Sequence, residues 1–158
     1  FINTAGVAAN GSVHTESEKK PEPIAEGEIS AALLAEVGTG RVVYEYNSEE
    51  KLPAAGLTRL AALVSVCKGF DEGRLKPGDA VSVSEKAAGI GGTTAFLKAG
   101  EQMDAETMLL AAVMINAGDA THSLALAAAG SESAAVQEIN ACMAGIGVET
   151  NFSEICGA

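Results

Sequence analysis

Residues 31–53 read AALLAEVGTGRVVYEYNSEEKLP, and the fold turns on this stretch. A mostly apolar run from Ile29 to Val37 precedes Gly38-Thr39-Gly40, and Arg41 to Asn47 follows with Val42, Val43, Tyr44 and Tyr46. β-Branched and aromatic residues on both sides of a short glycine-bearing break suit two strands joined by a turn with positive φ. A two-stranded hairpin is marginal alone in water and leaves backbone groups unpaired along both edges. Further structure is therefore expected to complete this sheet.

Upstream of the hairpin, Phe1 to Asn10 is a small, mostly uncharged run ending Val7-Ala8-Ala9. It reads equally as the tail of a secretory signal or as a plain extension. The polar, proline-bearing stretch through Glu16, Lys19, Lys20, Pro21 and Pro23 reads as a linker. Residues 1–27 are thus expected to be a flexible secretory tail and linker, with residues 28–158 forming the domain.

Downstream of Pro53 the period changes from that of strands to that of helices. Leu57, Leu60, Ala61, Val64 and Cys67 recur at helical spacing, and Gly69 or Gly73 offers a stop. Pro77-Gly78 marks a turn, and Val81-Ser82-Val83 a short extended piece. Asp104 suits the N-cap of a helix through Met108, Leu109, Ala112 and Ile115, with Glu106 where the helix dipole favours an acid. Gly118 interrupts that helix, an alanine-rich helix follows from about Asp119 to Ala129, and a last one carries Val136, Ile139 and Met143 as far as Gly145. A hairpin followed by helices predicts an α+β fold.

Composition narrows the function. The 158 residues suffice for one domain, and 47% hydrophobic with 20% charged residues supplies a core. A net charge of −11 and an aromatic content of 4% without Trp argue against nucleic acid, whose phosphates would be repelled and whose bases would find little to stack on. All 10 Lys and Arg fall at or before Lys98, so the remainder has no cation for an anionic ligand. No apolar run approaches the roughly 20 residues that span a bilayer. Cys67, Cys142 and Cys156 match no metal-ligand spacing and read as small hydrophobes, and neither metal nor cofactor is expected.

Three stretches, Ala31 to Pro53, VSEKAAGIGGTTAFLKAGE from Val83 to Glu101, and Asp119 to Ser131, together resemble the N-terminal half of the penicillin-binding serine D-alanyl-D-alanine carboxypeptidases. The resemblance implies the N-terminal hairpin and helical subdomain of a β-lactamase/transpeptidase-like fold. Such enzymes carry S-x-x-K opening a helix, S-x-N on the helical side of the cleft and K-T-G on a strand. The Ser oxygen attacks a peptide carbonyl to form an acyl-enzyme, and the Lys one turn later accepts its proton once desolvation lowers its pKa. The last Lys attracts the substrate carboxylate.

On this resemblance the first motif falls on Gly56-Leu57-Thr58-Arg59 and the second on Asn116-Ala117-Gly118. Gly56 has nothing to acylate, and Arg59 carries a guanidinium, a group that keeps its proton in proteins and cannot serve as a base. Asn116 replaces a hydroxyl and Gly118 an amide, while Asp119 and Ala120 still fit. No K-T-G occurs before Ala158, so the remaining strands are expected to be absent. The expected site therefore holds no intact catalytic residue, only degenerate positions Gly56, Arg59, Asn116 and Gly118.

Other residues do not rescue the chemistry. Thr58 points roughly 200° around the helix from Gly56 and reads as a surface or capping residue. Asp119 and His122 can share a helix face, but Ser123 points about 100° away from His122, so a helix-surface ion pair is expected rather than a relay. Gly89-Ile90-Gly91-Gly92 lacks the Lys-Ser/Thr of a phosphate cradle, and His14 stands alone in the tail. Glu49-Glu50 and Asp71-Glu72 read as solvated faces. The expected function is a noncatalytic carboxypeptidase-like module, secreted or at the cell envelope, that binds a protein partner or cell-wall peptide or self-associates through the hairpin edge. The alternative is a diverged or split carboxypeptidase acting on peptidoglycan stem peptides.

Overall fold

A computed structural model describes residues 29–157. The tail and linker expected over 1–27, with His14, lie outside the described residues. The chain divides into two compact units, one ending at Leu52 and the other beginning at Pro53.

The first unit is the hairpin. Strands β1 (Ala32–Ala35) and β2 (Val42–Tyr46) pair antiparallel, with Ala32 opposite Tyr46 and Leu34 opposite Tyr44, and a bulge shifts the register between Leu34 and Ala35. Glu36 N–H donates to Arg41 O at 2.9 Å to close the turn, and Gly40 takes the φ of +71° that the reversal requires. Asn47 Nδ2 donates to Ser30 O at 3.2 Å, tying the open end.

The second unit contains α1 (Leu57–Asp71), β3 (Ala80–Ser82), α2 (Glu85–Ala88), β4 (Gln102–Asp104), α3 (Ala105–Ile115), α4 (Gly118–Ala129) and α5 (Glu132–Gly145). The extended piece around Val81 pairs antiparallel with β4, Val81 opposite Met103. Residues 102–104 are too short for an alternating pattern to mark them as a strand. Asp104 ends β4 and also caps α3, accepting from Thr107 N–H at 2.8 Å. Side chains of Ser84 and Ser131 likewise accept from the first turns of α2 and α5.

The break between α3 and α4 is made by Asn116 rather than Gly118. Asn116 adopts the left-handed conformation at φ 53°, one that Asn tolerates better than most side chains, whereas Gly118 is the first residue of α4. Helix α4 forms the centre, with α1, α2, α3, α5 and β3 packed against it. Its small residues Ala120 and Ala125 allow close approach, and Leu124 fills the interior with Val66, Met108 and Ile139. Leu57, Leu60 and Val64 of α1 and Leu110, Val113 and Met114 of α3 remain exposed.

Candidate functional site

Arg59 lies in the first turns of α1 and is buried, with 6% of its surface exposed. Its guanidinium enters a cage of backbone carbonyls. Nη1 donates to Asn116 O at 2.6 Å and Thr93 O at 2.9 Å, and Nη2 donates to Gly91 O at 3.2 Å. Nε is buried without a partner. The left-handed turn at Asn116 belongs to the backbone that offers one of these oxygens. Carbonyl dipoles solvate the cation, so the buried charge is held without an ion pair.

Gly118 makes room for the guanidinium. A Cβ there would come within 2.8 Å of Arg59 Nη2, 2.9 Å of its Cζ and 2.8 Å of Ile90 Cγ2, closer than real Cβ contacts allow. A Cβ on Gly92 would stand 3.4 Å from the same Nη2. Gly56, at the N-cap of α1, faces Asn116, since a Cβ there would lie 3.4 Å from Asn116 Nδ2. The four positions singled out in the sequence thus meet at one place. Gly56 brings no side chain to it, and Arg59 brings a guanidinium bonded to backbone oxygens.

Asp119 and its neighbours correct the expected surface ion pair. Asp119 is buried and accepts from the N–H groups of Ala95, Leu97 and Ala120 at 2.9 to 3.1 Å, fixing the segment before β4 against α4. Ser123 donates its hydroxyl to Asp119 O at 2.8 Å. His122 is buried and pairs with Glu132 of α5, Nε2 to Oε1 at 2.7 Å, while Lys86 Nζ stands 2.7 Å from the same oxygen. The Lys86 hydrogen bond, reinforced by His122, holds the Glu132 carboxyl below its ordinary range. The His122 Nδ1 is buried with no partner.

Thr58 is likewise buried rather than at the surface, and α1 has no side-chain cap. It lines a cavity of about 380 Å³ with Ala55, Asn151, Glu154 and Gly157. A second cavity, of about 510 Å³, opens beside Lys86, His122, Glu132 and Cys156. Burial pushes the Cys156 thiol up to about 11, and its Sγ donates to Gly118 O at 3.4 Å, so it is protonated and unreactive at neutral pH. Among the described residues no cluster of three or more His, Cys, Asp or Glu side chains could hold a metal ion, and no helix is long and apolar enough to cross a membrane.

The family model for D-alanyl-D-alanine carboxypeptidases of peptidase family S11 matches residues 15–158. The chain belongs to this carboxypeptidase family. It is 34% identical over 131 residues to D-alanyl-D-alanine carboxypeptidase DacF of Bacillus subtilis, a match covering 82% of this chain and 34% of that protein. The D-alanyl-D-alanine carboxypeptidase DacD structure from Francisella tularensis shares 25% identity with a TM-score of 0.74, over 91% of this chain and 35% of that one. Penicillin binding protein 6B from Escherichia coli gives 25% and 0.72, over 91% of this chain and 48% of that one. The chain spans about a third of the curated carboxypeptidase relatives it matches. Among the described residues, two small antiparallel sheets, one of them the hairpin, and five helices have the fold of the corresponding part of the penicillin-binding carboxypeptidases, as the resemblance implied.

Some of this family member's polar architecture carries no sequence signal. The oxygens around Arg59 are backbone atoms, which any residue possesses. Lys86 and Glu132 are 46 positions apart and meet through the packing of α2 and α5 beside α4.

Proposed function

We propose that this chain is a noncatalytic D-alanyl-D-alanine carboxypeptidase-like module of the cell envelope that binds cell-wall peptide or a protein partner. The observation carrying this reading is the Arg59 guanidinium, held by three carbonyl oxygens in space left free by Gly118. Acyl transfer requires a nucleophilic oxygen or sulfur and a base able to accept its proton. On the family resemblance those positions are Gly56 and Arg59, which supply neither. The family's association with peptidoglycan supports an extracytoplasmic location. The decisive experiment incubates the purified chain with fluorescent penicillin and measures its intact mass. An unchanged mass is expected, and a covalent β-lactam adduct at any residue would overturn the reading.

A split carboxypeptidase is the second reading, favoured by how fully the scaffold survives, with 91% of the chain superposing at a TM-score of 0.74. It requires D-alanine release from a stem peptide when further polypeptide is supplied. Absence of release with and without that polypeptide removes it.

A further inference from the structure

The cavity of about 510 Å³ beside His122 falls in the size range of small-molecule sites, and none of Gly56, Arg59, Asn116 and Gly118 lines it. Its wall has an apolar part and a polar part. Ile90, Val136 and Ile155 supply branched aliphatic side chains from the loop after α2, from α5 and from the segment beyond it. Lys86, His122, Glu132 and Glu154 supply the charged and titratable groups. Three of these four are engaged with one another. Lys86 Nζ lies 2.7 Å and 2.8 Å from the two Glu132 oxygens, and His122 Nε2 lies 2.7 Å from one of them. Glu154 is exposed and has no hydrogen bond or ion pair among the described residues. His122 is 4% exposed and its Nδ1 has no partner, an unmet buried group of the sort that accompanies bound ligands, ions or water.

An uncompensated carboxylate beside an aliphatic wall selects a cation on an apolar stem. The long-range field acts in the same direction, since a net charge of −11, with no Lys or Arg after Lys98, attracts cations and repels anions. We infer that this cavity binds an aliphatic primary amine, its ammonium at Glu154 and its alkyl chain against Ile90, Val136 and Ile155. Glu154 also borders the smaller cavity, but short and polar side chains such as Ala55, Thr58 and Asn151 wall that one. A free alkylamine and a lysine-type side chain on a peptide present the same group. The inference is independent of the noncatalytic reading, since a penicillin adduct would leave it standing.

Titration of the purified chain with pentylamine, followed by methyl NMR, tests this. Saturable shifts are expected at Ile90, Val136 and Ile155. Pentan-1-ol, which keeps the stem without the charge, should bind about fivefold more weakly, and pentanoate more weakly still. Glu154→Gln should remove the advantage of the amine over the alcohol, and because Glu154 carries no bond of the fold the other methyl signals should stay in place. Added salt provides a check without any substitution, since it should weaken the amine and leave the alcohol unchanged. Nα-acetyl-lysine amide distinguishes the two sources: shifts at the same methyls assign the cavity to a peptide side chain as well, and shifts from pentylamine alone assign it to a free amine. No saturable shift up to about 50 mM pentylamine overturns the inference. Equal binding of amine and alcohol also overturns it, as do shifts confined to Ala55 and Thr58, which would place the amine in the smaller cavity.

Discussion

Arg59 and Gly118 are a size-matched pair: a Cβ on Gly118 would stand 2.8 Å from Arg59 Nη2, so the space one residue leaves is the space the other fills. Gly118→Ala is therefore expected to destabilise the chain by about 1–3 kcal/mol through overpacking. In an Arg59→Ala background the same change should cost less, with a coupling of about 0.5 kcal/mol or more. Urea denaturation of the four proteins measures this cycle, and additive effects would show that the two residues do not compete for space.

The double variant Gly56→Ser, Arg59→Lys places a hydroxyl and a titratable amine at the first motif. Glycine and serine are both acceptable N-caps, so the fold should survive, with a loss of about 1–3 kcal/mol as the guanidinium's bonds to Thr93, Asn116 and Gly91 are broken. No D-alanine release from a stem peptide is expected, because Asn116 and Gly118 remain unchanged at the second motif and the chain contains no K-T-G. Measurable release would show that serine and lysine alone suffice.

Asp119 binds three backbone N–H groups inside the protein. Asp119→Ala leaves them without an acceptor and should cost about 2–4 kcal/mol, since hydrogen bonds to a charged group exceed neutral ones. Hydrogen exchange should reveal the loss first at Ala95 and Leu97. Unchanged protection there would mean that the segment is held by its packing alone.

Glu132 gives a pH dependence with a defined sign. Its carboxyl is lowered from an ordinary 4.5, chiefly by the Lys86 hydrogen bond and then by His122. The stabilisation is thus complete above about pH 4.5, the unfolded value, and is lost as pH falls through the lower folded value. With 44% of its side chain exposed, solvent screening keeps the contribution below about 1 kcal/mol. Thermal melts between pH 6 and 3 should show a shallower decline for Glu132→Gln than for the unaltered chain, and parallel curves would exclude Glu132 as a contributor.

Elements with a periodic pattern are legible in the sequence. Leu57, Leu60 and Val64 announce α1, and the β-branched and aromatic residues flanking Gly38-Thr39-Gly40 announce the hairpin, because both signals are local. Strand β4 was hidden, since three residues cannot establish a period and Asp104 already read as a helix cap. Asp119 reads as a surface residue in the sequence because its partners are backbone amides of Ala95 and Leu97, which a sequence does not distinguish from any others. The candidate site was legible as a set of four positions but not as a cage. Nothing in the identities of Gly91, Thr93 or Asn116 reveals that their carbonyl oxygens converge on one guanidinium.

The carbonyl cage also makes positions 59 and 118 interdependent. A side chain added at position 118 while Arg59 is in place meets a steric collision, and removing Arg59 first strands the oxygens of Gly91, Thr93 and Asn116 inside the protein. Either single change is therefore costly, and a tolerated route through this site alters both residues at once.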